Sequence, residues 1–173
     1  NLKMNILLVV PRFGNESQGE YIFPLGMAYI SAALKQAGYG VSVLNLNHTK
    51  GDVAELIQKE ILTSGCRMLA TGGISIFYPM IKEVLDATKG INASLVTILG
   101  GGIITAAPKD VYCLLEPTYG IIGEGENTIV ELMKVLSNQG SVEKIPGLIY
   151  KGKDGLIEQS ARRESARDLS IVP

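Results

Sequence analysis

Two cysteines and one histidine are all that 173 residues offer as thiol or imidazole groups. Cys66 and Cys113 are too few and too far apart to cage a metal or staple a fold, so a zinc module and a disulfide scaffold are both excluded. A reducing, cytosolic setting follows from that cysteine usage. An excess of charge of one sign is also missing. Sixteen Lys and Arg face 17 Asp and Glu, for a formal net charge of -1, which leaves no electrostatic footprint for nucleic acid or an anionic membrane. The one basic cluster, Arg162, Arg163 and Arg167, is interrupted by Glu164 and Asp168 and reads as a solvated tail. No stretch approaches the roughly 18 apolar residues of a membrane span, and the N-terminus lacks the charged-then-apolar form of a signal peptide. A cytoplasmic protein with neither nucleic-acid nor membrane partners is expected. What remains is 46% hydrophobic and 19% charged, enough to bury one domain's core.

The hydrophobic residues alternate between two periods. Asn5 to Val10 is a short apolar strand stopped by Pro11, which cannot donate to a sheet. Arg12 to Tyr21 makes a loop of about ten residues, longer than the usual 2 to 6 between strand and helix. Pro24 to Ala37 then carries apolar residues on one helical face and is stopped by Gly38 and Gly40. Val41 to Leu46 is a second strand, Asp52 to Thr63 a helix ended by Gly65, and Arg67 to Thr71 a third strand. The pattern from Tyr78 to Lys89 predicts a helix closed by Gly90. The run Leu95 to Ala107 is fully apolar, as a parallel strand buried on both faces must be, and is broken by Gly100-Gly-Gly102 before a helix from about Ala107 to Leu115. Tyr119 to Ile122 and a helix bearing Ile129, Leu132, Met133 and Leu136 complete five alternations. Such alternation forces right-handed crossovers. The expected fold is therefore α/β, a Rossmann-like (flavodoxin-like) doubly wound five-stranded parallel sheet over residues 1–140; one sequence does not give the strand order, and 2-1-3-4-5 is expected as the commonest for a domain of this size. Residues 141–173 are expected to hold a small C-terminal β-hairpin, Gly147 to Tyr150 and Leu156 to Glu158 around Asp154-Gly155, followed by a linker.

Four strand ends carry the same punctuation: Pro11-Arg-Phe-Gly14, Gly72-Gly-Ile-Ser75, Gly100-Gly-Gly102 and Gly123-Glu-Gly-Glu126. One such turn alone says little, since glycine makes tight turns anywhere. Four of them at the carboxyl ends of parallel strands converge on one edge, where α/β sheets bind ligands. A dinucleotide fingerprint is absent after the first strand, and no Walker lysine follows any glycine loop, which disfavours NAD and nucleoside triphosphates. Flavin mononucleotide is disfavoured by Glu16 in the loop that would hold its phosphate. A phospho-acceptor domain would need acidic residues after strands one and three that this chain lacks. His48 reads as a surface or cap residue and both cysteines as buried small hydrophobes. Glu124 and Glu126 suit a helix start or ligand hydroxyls. No acid-base pair or nucleophilic triad emerges, so catalysis by this chain alone is not expected.

The stretches Asn5 to Pro11, Phe23-Pro-Leu-Gly-Met-Ala-Tyr-Ile-Ser-Ala-Ala-Leu-Lys-Gln-Ala-Gly38, Ile98-Leu-Gly-Gly-Gly102 and Ile121-Ile-Gly-Glu-Gly-Glu-Asn-Thr128 resemble the N-terminal cobalamin-binding domain of B12-dependent radical SAM enzymes. The likeness continues into Ile145-Pro-Gly-Leu-Ile-Tyr150, which in that family leads into the catalytic core. The resemblance implies a cobalamin whose corrin ring lies on the strand ends and whose nucleotide tail runs down between strands and helices. It assigns Gly72, Gly73, Ser75 and Ile76, then Gly100, Gly101 and Gly102, to the tail's groove, and Gly123, Glu124, Gly125 and Glu126 to its far end. Pro11, Arg12, Phe13, Gly14, Phe23, Leu25 and Gly26 fall beneath the corrin.

Two departures from the wider family shape the expectation. The Asp-x-His-x-x-Gly motif that supplies a histidine to cobalt in methionine synthase and the mutases is absent, as is common in the radical SAM members, so the lower face of cobalt is left to loop residues or water, and a base-off cobalamin with no histidine ligand is expected. The Cys-x-x-x-Cys-x-x-Cys motif of the radical SAM core is also absent, which puts S-adenosylmethionine and the 4Fe-4S cluster in a core that this sequence does not contain. That core, on the same polypeptide, is the implied partner, with methyl transfer or related radical chemistry done there. A stand-alone flavodoxin-like module that binds another small ligand or a protein is the alternative.

Overall fold

The first strand shows why its sequence carries no polar alternation. In a computed structural model, which describes residues 4–12, 23–138 and 140–164, β1 (Asn5–Val10) buries every residue from Ile6 to Val10. Ile6 and Leu8 point into one core layer, Leu7 and Val9 into the other. A central strand covered on both faces must be apolar throughout. It is flanked in parallel by β2 (Gly40–Asn45) and β3 (Met68–Gly72), and β3 by β4 (Val96–Gly100) and then β5 (Tyr119–Ile121). The parallel part has the expected order 2-1-3-4-5.

The sheet does not stop there. β6 (Leu148–Lys151) pairs antiparallel with β5, and β7 (Ile157–Gln159) antiparallel with β6, giving a mixed seven-stranded sheet of order β2-β1-β3-β4-β5-β6-β7. The expected five-stranded parallel sheet with a separate hairpin is thus corrected. Leu148 and Tyr150 enter one core layer and Ile149 the other, so β6 is buried on both faces and belongs to the sheet. Pairing with β5 is what a local turn signal cannot reveal.

Helices α1 (Leu25–Gln36) and α6 (Glu126–Ser137) cover one face. The other is covered by α2 (Val53–Ser64), α3 (Tyr78–Ile91), α4 (Gly102–Ala106) and α5 (Pro108–Leu115). Local chemistry sets several ends. Asp52 caps α2 by accepting the Glu55 N–H at 3.0 Å, and Gly65, with φ of 65°, closes it by donating to the Ile61 carbonyl.

Gly90 does not close α3. The helix runs on to Ile91, whose side chain packs against the core, and burial there outweighs the roughly 1 kcal/mol that an interior glycine costs. The helix expected from about Ala107 to Leu115 is α5, and a further short helix, α4, precedes it. Pro108 disfavours helical backbone at the residue before it, and Ala107 sits at φ -145°, ψ 72° between α4 and α5. Cys66 is buried, and that burial pushes its thiol up. Cys113 is exposed, contrary to expectation, because Tyr112 and Leu115 take the buried side of α5. Among the described residues no helix is long and apolar enough to cross a membrane.

Candidate ligand cavity at the carboxyl edge of the sheet

A cavity of about 320 Å³ opens at the carboxyl ends of β3, β4 and β5, on the face covered by α1 and α6. Its floor is aliphatic: Ala70, Ile98 and Ile121 from the strands, Met27 and Ile30 from α1, and Ile129 from α6. Its rim is Pro24, Gly26, Thr71, Gly72, Gly73, Ile74, Gly100, Gly101, Gly102 and the turn Gly123, Glu124, Gly125, Glu126. Ten residues singled out in the sequence therefore meet around one space. The floor residues were missed, yet a signal for them exists. Ala70, Ile98 and Ile121 each lie two positions before a glycine of the rim, and side chains two apart along a strand share a face.

The glycines have different tasks. A Cβ on Gly72 would collide with the Gly100 carbonyl, and one on Gly101 would lie 2.7 Å from the Gly73 carbonyl oxygen. Gly101 also has φ of 88° and ψ of -172°, a region that is essentially glycine-only. The two turns lie backbone on backbone, joined by Ile103 N–H donating to the Gly73 carbonyl at 2.9 Å. Gly72 and Gly101 are thus demanded by packing between turns. Gly100 differs: nothing lies within 4 Å of a Cβ built there, and its face of β4 is the Ile98 face, toward the cavity. Gly123, with φ of 81°, likewise borders open space.

Thr105 was not foreseen. Its Oγ1 donates to the Gly101 carbonyl at 2.9 Å and accepts the Gly123 N–H at 3.0 Å, strapping the turn after β4 to the turn after β5. Gly125 leaves room for Ile30, whose Cδ1 would stand 3.1 Å from a Cβ there. The ionisable groups lining the cavity are Glu124 and Glu126; it is lined by no Lys, Arg or His among the described residues.

Other expected site residues lie elsewhere. Pro11 is buried and its carbonyl accepts the Asn47 Nδ2 amide at 2.9 Å. Arg12 turns to the β2 side of the sheet, where Nε donates to the Leu46 carbonyl and Nη2 to the carbonyls of Thr49 and Gly51, at 3.2 to 3.3 Å. It ties the end of β1 to the loop after β2 and does not line the cavity. Phe23, Leu25, Ser75 and Ile76 are exposed and outside the cavity lining. Phe13 and Gly14 lie outside the described residues. His48 is exposed after β2, away from the cavity lining. No group of three or more His, Cys, Asp or Glu among the described residues is placed to hold a metal ion.

A doubly wound sheet with an aliphatic, glycine-rimmed cavity outside its strand ends defines a ligand-binding α/β domain. The B12 binding domain family matches residues 12–133, and the chain belongs to that family. A curated relative, the anaerobic magnesium-protoporphyrin IX monomethyl ester cyclase of Synechocystis, is 24% identical over 156 residues, 86% of this chain and 30% of that protein. The fold is shared with TsrM from Kitasatospora setae, a radical S-adenosylmethionine methyltransferase solved with cobalamin and a 4Fe-4S cluster bound. The TM-score is 0.78 at 20% identity, over 92% of this chain and 31% of that one. It is also shared with the cobalamin-dependent S-adenosylmethionine radical enzyme OxsB with aqua-cobalamin bound, at a TM-score of 0.70 and 17% identity, over 95% of this chain and 23% of that one. The chain thus spans about a third or less of the length of each of these proteins.

Proposed function

We propose that this chain is the cobalamin-binding module of a B12-dependent radical SAM enzyme. The observation that carries the reading is Gly100, a strand residue that faces an aliphatic cavity with no atom within contact of its missing side chain. Family membership supplies the ligand. A cavity of about 320 Å³ takes only part of a molecule as large as cobalamin. Gly100 would leave room for the nucleotide tail beside Ile98 and Ile121, and the carboxylates of Glu124 and Glu126 would accept from its hydroxyl or amide donors. The rim at Ile74, with the exposed side chains of Phe23, Leu25 and Ile76 close along the chain to rim residues, would offer apolar contact to the corrin.

His48, the one histidine of the sequence, follows β2 and is not among the residues lining the cavity, so the chain would hold cobalamin without a histidine to the cobalt. The form proposed is base-off. When bound, cobalamin supplies a cobalt centre that can carry a methyl group or tune a radical. S-adenosylmethionine and the 4Fe-4S cluster belong to a core elsewhere on the same polypeptide, since two cysteines cannot supply the cluster's ligands. That core is the partner, methyl transfer or a related radical reaction is its chemistry, and the cytoplasm is its setting.

Hydroxocobalamin added in excess and followed by desalting tests the reading. Retained visible absorbance, shifted from the free cofactor, is the expected result. Loss of all absorbance on desalting, under both oxidising and reducing conditions, overturns it.

A further inference from the structure

Arg163, in the C-terminal basic cluster, is not simply solvated. After β7 the chain continues antiparallel alongside the start of β6: Ser160 N–H donates to the Leu148 carbonyl and Leu148 N–H to Ser160 Oγ, both at 2.9 Å, and Gly147 N–H donates to the Ala161 carbonyl at 2.8 Å. This path delivers Arg163 to α6. Its Nε donates to Thr128 Oγ1 at 2.8 Å and its Nη2 to Glu131 Oε2 at 2.7 Å. The Arg163 side chain is only 18% exposed. Thr128 is wholly buried and passes its own proton on to the Pro146 carbonyl at 3.2 Å.

Arg163, Thr128 and the turn at 146–147 therefore form one hydrogen-bonded chain, and both of its inner ends adjoin residues next to the cavity wall. Thr128 lies between Glu126 and Ile129, which line the cavity. Gly147 accepts the Ile122 N–H at 2.8 Å, one residue before Gly123 of the rim. We propose that Arg163 is a positioning residue: it clasps the segment leaving β7 onto the first turns of α6, and so couples the order of that segment to occupancy of the cavity. The coupling half rests on the cobalamin reading above; the clasp itself does not. By linkage, a ligand that steadies the first turn of α6 steadies the clasped segment, and loosening the clasp weakens the ligand by the same factor. A guanidinium fork reaches two acceptors at once, which one ammonium does not, so lysine is an incomplete substitute.

Amide hydrogen exchange on the ligand-free chain tests the clasp. Arg163→Met and Thr128→Val are expected to speed exchange about tenfold across residues 126–131 and 145–148 while leaving β1 and β3 unchanged, with Arg163→Lys in between. Exchange that rises equally everywhere, or nowhere, overturns the clasp, and unchanged β1 and β3 exchange verifies that each variant is folded. In the presence of hydroxocobalamin the wild-type chain is expected to gain protection at 145–148 and 160–164, and Arg163→Met to bind at least fivefold more weakly. Equal affinity in the two overturns the coupling. A wild-type chain that binds no hydroxocobalamin overturns the proposed function and the coupling together, and the ligand-free exchange still decides the clasp.

Discussion

Gly100 and Gly101 are neighbours with opposite consequences. Gly100 faces open space at a conformation any residue can adopt, so Gly100→Leu is expected to fold normally and to lose at least tenfold in hydroxocobalamin retention, because its side chain fills the cavity. Gly101→Ala meets the Gly73 backbone at a glycine-only conformation and is expected to cost about 1–3 kcal/mol of stability. Urea unfolding read beside the desalting assay separates the two; a Gly100→Leu chain that retains cobalamin as wild type does would remove the groove from the reading. At this scale the sequence was partly legible. The glycine triplet announces a tight turn, but which glycine serves packing and which serves space depends on where the turn after β3 lies, and that is a contact between residues some 30 apart. Arg12 teaches the same lesson: its three acceptors come from the loop after β2.

Among the elements, β6 is the one whose weight the sequence understated. Tyr150 on β6 donates to Glu158 Oε2 on β7 at 2.8 Å, and burial, with that carboxylate beside it, pushes its phenol up to about 12. Burial also pushes Tyr112 on α5 up to about 12. In the unfolded chain both titrate near 10. Their neutral forms therefore favour the folded state in full below pH ~10, and that contribution is lost as pH rises toward about 12. Urea midpoints between pH 9 and 11.5 are expected to fall, and to fall less steeply in Tyr112→Phe/Tyr150→Phe; equal slopes would show that neither phenol matters. The starts of α2 near Asp52 and of α5 near Ala107 were legible because each depends on residues within one turn. The extension of α3 past Gly90 was not, since it is held by packing of Ile91.

For the whole molecule, the sheet continues past residue 140 without a change of core. Ile145, Leu148 and Tyr150 are buried in the layer under α1 and α6, and Ile149 in the layer under α3, α4 and α5. A chain truncated after Gly140 would leave β5 as a bare edge and open both layers. It is expected to lose cooperative thermal unfolding and to bind a hydrophobic dye; a sharp transition close to that of the intact chain would show that β6 and β7 are dispensable.

By itself the sequence determined the alternation of strand and helix, the parallel character of the first five strands and the edge where their glycines gather, because these follow from hydrophobic period and from the handedness of crossovers, whereas the strand order was only the commonest one for such a domain. Tertiary structure alone decided that β6 and β7 complete the sheet, that Arg12 and Arg163 are ties between distant loops, and that Gly100 is the glycine facing empty space. Each of these depends on which backbone atoms approach across long separations in the chain, and periodicity carries no record of that.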